Sequence, residues 1–261
     1  MKKVFILSVF TSFILMNVKA QIMLGPVSGV NGSWFKVGYA DPESETTTSN
    51  TMKMGFHFGA TADIPFGGRF GMQPSIMFSQ RGDKLAYIPI NSSTDKNNYS
   101  STQTLNYIEI PLLFKYKLGS PERGLAIMAG PNFAFGINGK HTDVGTIVVT
   151  DNGTNYAFKI NETDKELRFG KKVNSNFKGF DAGFTFGIGS YFEVGESGKL
   201  IIELRQTLAL GNILNSTYVS SPDVDVTKFT IKNYNIINSE DFASSVKTRN
   251  VQLSVGYLFS F

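Results

Sequence analysis

The chain contains eight segments in which bulky apolar residues alternate with small or polar ones. A period of two places alternate residues on opposite faces of a β-strand, so each segment predicts a strand with one apolar face. In the last segment, "VQLSVGYLFSF", Leu258 is the one bulky residue on the polar side. The first segment is the least regular of the set. The eight segments are 24–38, 51–66, 70–81, 104–118, 124–137, 180–194, 199–211 and 251–261.

The connections between these segments alternate between long and short. Long connections are rich in Asn, Ser, Thr and Asp, and the third and fourth of them cover 138–179 and 212–247. Short connections contain Gly and Pro, as in tight turns. This pattern predicts an all-β fold: a closed, eight-stranded, antiparallel transmembrane β-barrel with short periplasmic turns and long extracellular loops. Within the third loop, "TIVVT" (146–150) and "NYAFKI" (155–160) predict a hairpin around "DNG".

The charged residues of the segments decide which face meets lipid. A soluble barrel of the lipocalin kind would be apolar inside and polar outside. Here the charges share one face with many glycines, which leaves too little bulk to enclose an apolar ligand. We therefore expect lipid outside, and a compensated polar network inside a lumen that is just wide enough for its own side chains. The predicted network consists of Glu109, Lys115, Asp181, Glu193, Glu203 and Arg205.

The N-terminus has the features of an export signal. A basic "MKK", an apolar run over 4–18 and a small-residue "VKA" predict a signal peptide at 1–20, followed by one barrel domain at 21–261. A retained membrane anchor is the alternative, but the run is too short to span a bilayer. Loss of Lys2, Lys3 and Lys19 lowers the net charge from +4 to +1, so the charge gives no argument for nucleic acid.

Three segments carry a family resemblance. "YIEIPLLFKYKLG" (107–119), "AGPNFAFGI" (129–137) and "FDAGFTFGIGSYFEV" (180–194) resemble strands of the PorT-like outer-membrane β-barrel domain of Gram-negative bacteria. The resemblance implies an outer-membrane location and contact with outer-membrane lipids. In outer-membrane barrels generally, an aromatic C-terminal strand is recognised by the barrel-assembly machinery. That role would fall here to Tyr257, Phe259 and Phe261.

Candidate chemistry is sparse. The two histidines, His57 and His141, stand in no recognisable zinc spacing, and zero cysteines exclude thiolate ligands and disulfides. No G-x-S-x-G motif accompanies them. We therefore expect no cofactor and no metal. The expected role is that of a non-enzymatic barrel that contacts a protein partner through its long loops or supports a membrane complex. A lipid-modifying enzyme that uses His57 and a narrow channel are the alternatives.

Overall fold

The structure is a computed structural model that describes residues 22–39, 48–87, 98–119, 123–151, 154–170, 175–195, 197–214, 224–226, 229–231 and 243–260. The predicted signal peptide and Phe261 lie outside these residues. No helix in the described ranges is long and apolar enough to cross a bilayer. The strands are β1 Met23–Tyr39, β2 Thr48–Thr51, β3 Lys53–Gly67, β4 Phe70–Tyr87, β5 Asn98–Gly119, β6 Arg123–Asp151, β7 Thr154–Leu167, β8 Phe180–Val194, β9 Gly198–Ala209, β10 Val224–Val226, β11 Phe229–Ile231 and β12 Ala243–Ser260.

Eight of these strands form a closed antiparallel ring. Its order is β1, β3, β4, β5, β6, β8, β9 and β12, and β12 pairs with β1 from Met23↔Ser260 to Tyr39↔Ala243. Closure removes free strand edges, which a barrel in hydrocarbon requires because lipid cannot satisfy backbone amides. The predicted eight-stranded barrel is confirmed.

Several strands run far beyond their predicted ends. A strand needs about 9–11 residues to span a bilayer, whereas β6 has 29 residues and β5 has 22. The apolar alternation that marks a lipid-facing strand stops where the outer face meets water and no longer needs apolar side chains, although the hydrogen-bonded ladder continues there. This explains why β12 begins at Ala243 and not near 251. The predicted hairpin is also confirmed, because β6 and β7 pair from Thr146↔Lys159 to Asp151↔Thr154.

The two faces of the ring differ as the alternation predicts. Residues of the outer face remain exposed, including Phe58 at 53%, Phe114 at 58% and Ile188 at 58%, and they form the apolar belt of the barrel. Residues between them point into the lumen and are buried. Leu258, the exception in the last segment, is one of these, and it packs against Ala126, Tyr191 and Ile201.

Candidate functional site

The periplasmic half of the lumen contains a continuous chain of polar contacts. Asp63 on β3 forms ion pairs with Lys115 and, at 3.4 Å, with Lys117, both on β5. Lys115 Nζ donates to Gln73 Oε1 at 3.4 Å, and Gln73 Nε2 donates to Glu203 Oε1 at 2.6 Å. The chain ends where Arg205 donates to Glu203. Each charge therefore has an opposite charge beside it, which offsets the cost of burying it.

A second chain lies nearer the extracellular end. Arg81 Nη2 lies 2.6 Å from Glu109 Oε2, and both side chains are 1% exposed. Asn132 donates to the same carboxylate at 3.3 Å. Thr248 accepts from Arg81 Nη1 at 3.5 Å and donates to Asp181 at 3.1 Å. This network joins side chains from β4, β5, β6, β8 and β12, and it therefore fixes these five strands relative to one another.

Five residues of the predicted network lie buried in these two chains, namely Glu109, Lys115, Asp181, Glu203 and Arg205. Glu193 needs correction, because its side chain is exposed near the end of β8 and contributes no ion pair to the network. Sequence reasoning missed Arg81 and Asp63 as network members. Strand parity was the available signal, since Arg81 shares its face with Gln73, Ser75 and Ser79, and Asp63 shares its face with His57.

An apolar cluster covers the extracellular end of the lumen. Phe177 and Ile213, from the connections after β7 and β9, are each 1% exposed and pack against Phe35, Leu105 and Tyr107. Lys178 N donates to Ile213 O at 2.8 Å and so joins the two connections, and Ile213 N donates to Val246 O at 2.9 Å and so ties the second connection to β12. This arrangement closes the mouth with chain segments that sequence analysis assigned only to loops.

Phe169 belongs to the same cover. Its ring meets Tyr107 edge-on at 5.3 Å and lies 5.9 Å from the ring of Phe177. A Cβ on Gly136 would lie 2.2 Å from Phe169 Cδ1, so the absence of a side chain at Gly136 lets the ring approach β6. Gly136 therefore contributes to the closure of the extracellular end, because it leaves room for the Phe169 ring.

The periplasmic end is closed by a smaller cluster. Ala126, Tyr191, Ile201 and Leu258 are buried there, and Met23 packs against them. Lys117 Nζ and Lys199 Nζ lie over the Tyr191 ring at 5.9 and 5.6 Å from its centroid. The polar network is therefore enclosed between two apolar clusters.

The histidines occupy different places. His57 is 1% exposed inside the lumen, and its Nε2 shares a hydrogen bond of 2.8 Å with Ser254 Oγ. His141 lies on the extracellular part of β6, and its Nε2 is 2.6 Å from Asp143 Oδ2. In the described part of the chain, no group of three or more His, Asp or Glu residues could hold a metal ion.

The extracellular sheet is the part of β4–β7 that continues beyond the apolar belt, over Lys84 to Tyr87, Asn98 to Thr104, Lys140 to Asp151 and Thr154 to Leu167, together with Arg168 directly after β7. It pairs in the order β4, β5, β6 and β7. Exposed charges cover its described surface, as in the ion pairs Lys140–Asp164 at 3.3 Å and Arg168–Glu166 at 3.1 Å. These charges keep the last strand, β7, in contact with water.

Two of the three C-terminal aromatics, Tyr257 and Phe259, face outward on β12. Phe259 is 47% exposed, and its ring centroid lies 4.8 Å from that of Tyr257 in an edge-on contact. Their recognition by the assembly machinery stays a prediction.

The comparison with protein families agrees with this architecture. The profile of a family described as "Outer membrane protein beta-barrel domain" matches residues 18–215. No curated protein sequence matches. Among solved structures, OprG from Pseudomonas aeruginosa is similar, with 12% identity, a TM-score of 0.40, and coverage of 93% of this chain and 95% of that chain.

Two further solved structures are similar. Ail of Yersinia pestis has 12% identity, a TM-score of 0.36, and coverage of 92% of this chain and 99% of that chain. The protease OmpT from Escherichia coli has 10% identity, a TM-score of 0.31, and coverage of 93% and 96%. At these identities and TM-scores, the likeness supports no conclusion about this chain. With the family profile matching most of the length and a closed ring of strands, the chain belongs to the outer membrane protein β-barrel domain family and is located in the outer membrane.

Proposed function

We propose that this protein is a non-enzymatic, PorT-like barrel that does not conduct solutes and that binds a protein partner through its extracellular sheet. The observation that carries the proposal is the closed lumen. Compensated charges fill its middle, and apolar clusters cover both ends. An eight-stranded barrel offers no spare width for a path around them. The surface left for recognition is the sheet beyond the membrane.

The extracellular sheet supports this role by its size and position. Spanning the bilayer needs about 9–11 residues per strand, so most of β6 and all of β7 serve another purpose. Long loops without a closure role are commonly functional. The charged side chains of β7 would give a partner specific polar contacts, as the rim of an interface does.

Photo-crosslinking in native outer membranes tests the binding role. A photoreactive residue would replace Glu162 or Lys165, each of which has a side chain 50% exposed on β7. The matched control is Ile188, which is 58% exposed in the apolar belt. We expect a discrete protein adduct from the β7 positions and none from the belt position. No protein adduct from either β7 position would contradict the proposal.

The lipid-modifying enzyme and the narrow channel have separate tests. The burial of His57 and its bond to Ser254 are typical of an interior packing role, so His57→Ala should leave the lipid profile of the cell unchanged. A changed profile would favour the enzyme. Planar bilayers should show no conductance steps with the wild-type protein, and reproducible steps would favour the channel.

A further inference from the structure

The outer face of the β1–β12 ladder changes character along its length. The outward pairs are mostly apolar near the periplasmic end and through the middle, with Ser28 opposite Val255 as a polar exception. Leu24 opposes Phe259 and Val30 opposes Leu253, and the last two are 50% and 49% exposed. Toward the extracellular end, Trp34 opposes Arg249, and the next outward pair is Lys36 opposite Lys247. We call these four residues the basic rim: Trp34, Lys36, Lys247 and Arg249.

The direction of these side chains follows from their neighbours. Phe35, Val246 and Thr248 alternate with them and are at most 1% exposed, because they point into the barrel. Successive residues of a strand point to opposite faces. The basic rim therefore faces away from the lumen, toward the surroundings of the barrel.

The height of the basic rim matches the membrane border. Leu24, an exposed apolar residue near the start of β1, and Trp34 are ten positions apart along the strand. At about 3.3 Å per residue, they cover about 33 Å of strand. With a strand tilt of about 40°, this corresponds to about 25 Å along the membrane normal, which is the height of an apolar band. Trp34 thus lies at the extracellular border of the belt, and Lys36 lies just beyond it.

The lysine pair is unfavourable without a counter-ion. Directly opposed side chains in an antiparallel ladder have Cβ atoms about 4.5–5.5 Å apart, and like charges at this separation are destabilising. In the ranges that the structure describes, neither lysine nor Arg249 lies within ion-pair distance of a carboxylate. A bound anion would relieve this repulsion.

The remaining two residues suit an anionic lipid. Arg249 is held in place because its Nη1 donates to Ala209 O at 3.0 Å, and within the described part of the chain its other guanidinium N–H groups have no hydrogen-bond partner. Guanidinium and ammonium groups together bind phosphate oxygens well. Trp favours the border between hydrocarbon and headgroups, where its ring can lie beside acyl chains and its N–H meets the polar layer.

We propose that the basic rim binds the phosphorylated headgroup of an outer-leaflet lipid. The lysines and Arg249 contact the phosphate, and Trp34 contacts the adjoining hydrocarbon. The lipid is favoured over a soluble anion because the site begins at the edge of the apolar belt, where a lipid phosphate is already held. Three basic side chains on two paired strands provide the charge that a phosphate dianion needs.

Fluorescence of the purified full chain tests the proposal, since Trp34 is the only tryptophan. In maltoside micelles, the protein would be titrated with a phosphorylated lipid A and with the same lipid after removal of its phosphates. We expect Trp34 emission to respond with higher affinity to the phosphorylated lipid. An equal response to both would overturn the proposal, and so would a response to inorganic phosphate alone at the same concentrations.

Variants give a second readout. Lys36→Glu/Lys247→Glu should weaken lipid binding by about tenfold or more, because two ammonium groups that attract the phosphate become carboxylates that repel it. Lys36→Gln/Lys247→Gln should weaken it less, and it serves if the charge reversal prevents folding. The matched control is Lys84→Glu, which changes another exposed outward lysine, on β4, whose cross-strand neighbours are the uncharged Thr102 and Thr51. Wild-type affinity in both lysine-pair variants, or an equal loss in the Lys84 control, would overturn the assignment.

Discussion

Ion pairs in the lumen and in the extracellular sheet use the same chemical groups in opposite surroundings. Arg81 and Glu109 are both 1% exposed at 2.6 Å, whereas Arg168 and Glu166 are 62% and 65% exposed at 3.1 Å. In the lumen, each partner is needed because the other cannot return to water. In the sheet, water replaces either partner at little cost. Distance alone therefore says little about what an ion pair contributes to stability.

The largest effect is expected from breaking the buried pair. Glu109→Leu leaves Arg81 charged and buried, and should lower the free energy of unfolding by about 3–5 kcal/mol. Urea titration of the protein folded in lipid vesicles measures this change. The double variant Arg81→Met/Glu109→Leu removes both charges and should recover most of the loss. Equal losses in the single and double variants would contradict a role for pairing.

A charge on the lipid side of the wall should cost nearly as much. Ile188 is 58% exposed in the apolar belt, so Ile188→Lys should lower the free energy of unfolding by about 2–4 kcal/mol, as for cations near the bilayer midplane. The same vesicle titration measures it, with Ile188→Leu as the control that keeps the apolar surface. An unchanged stability for the lysine variant would place this face outside the hydrocarbon.

An intermediate effect is expected where the lumen meets the extracellular cover. Gly136→Val adds methyl groups where Phe169 now lies, and overpacking of this kind costs about 1–3 kcal/mol. The displaced ring should also make the segment from Arg168 to Gly170 more sensitive to protease added outside the cell. The control is Ile137→Val, a change at the next, outward-facing position. Wild-type stability and protease resistance in Gly136→Val would contradict the packing described for Phe169.

The smallest effect is expected in the extracellular sheet. Lys140 and Asp164 are 61% and 67% exposed, so Lys140→Ala should change the free energy of unfolding by at most about 1 kcal/mol, and less at high salt. Lys140→Gln keeps the length of the side chain and serves as the control. A loss as large as that of Glu109→Leu would mean that this pair is shielded from water.

The apolar alternation determined the barrel and its outward face, because lipid imposes a strict period of two on every strand that it touches. Burial of Glu109, Lys115, Asp181, Glu203 and Arg205 followed from the same parity. Glu193 did not follow it, because parity gives the direction of a side chain and not its distance from the end of a strand. The extensions of β5, β6 and β12 were hidden, because an outer face that meets water needs no apolar side chains and therefore shows no apolar alternation.

Only the tertiary structure decided which partners meet across the lumen. Arg81 and Glu109 lie on paired strands, but the bond from Gln73 to Glu203 crosses the lumen between residues 130 positions apart. The closure of the mouth by Phe177 and Ile213 depended equally on contacts between distant loops. Local sequence sets the period of each strand, and the closing of the ring brings opposite walls within hydrogen-bond distance.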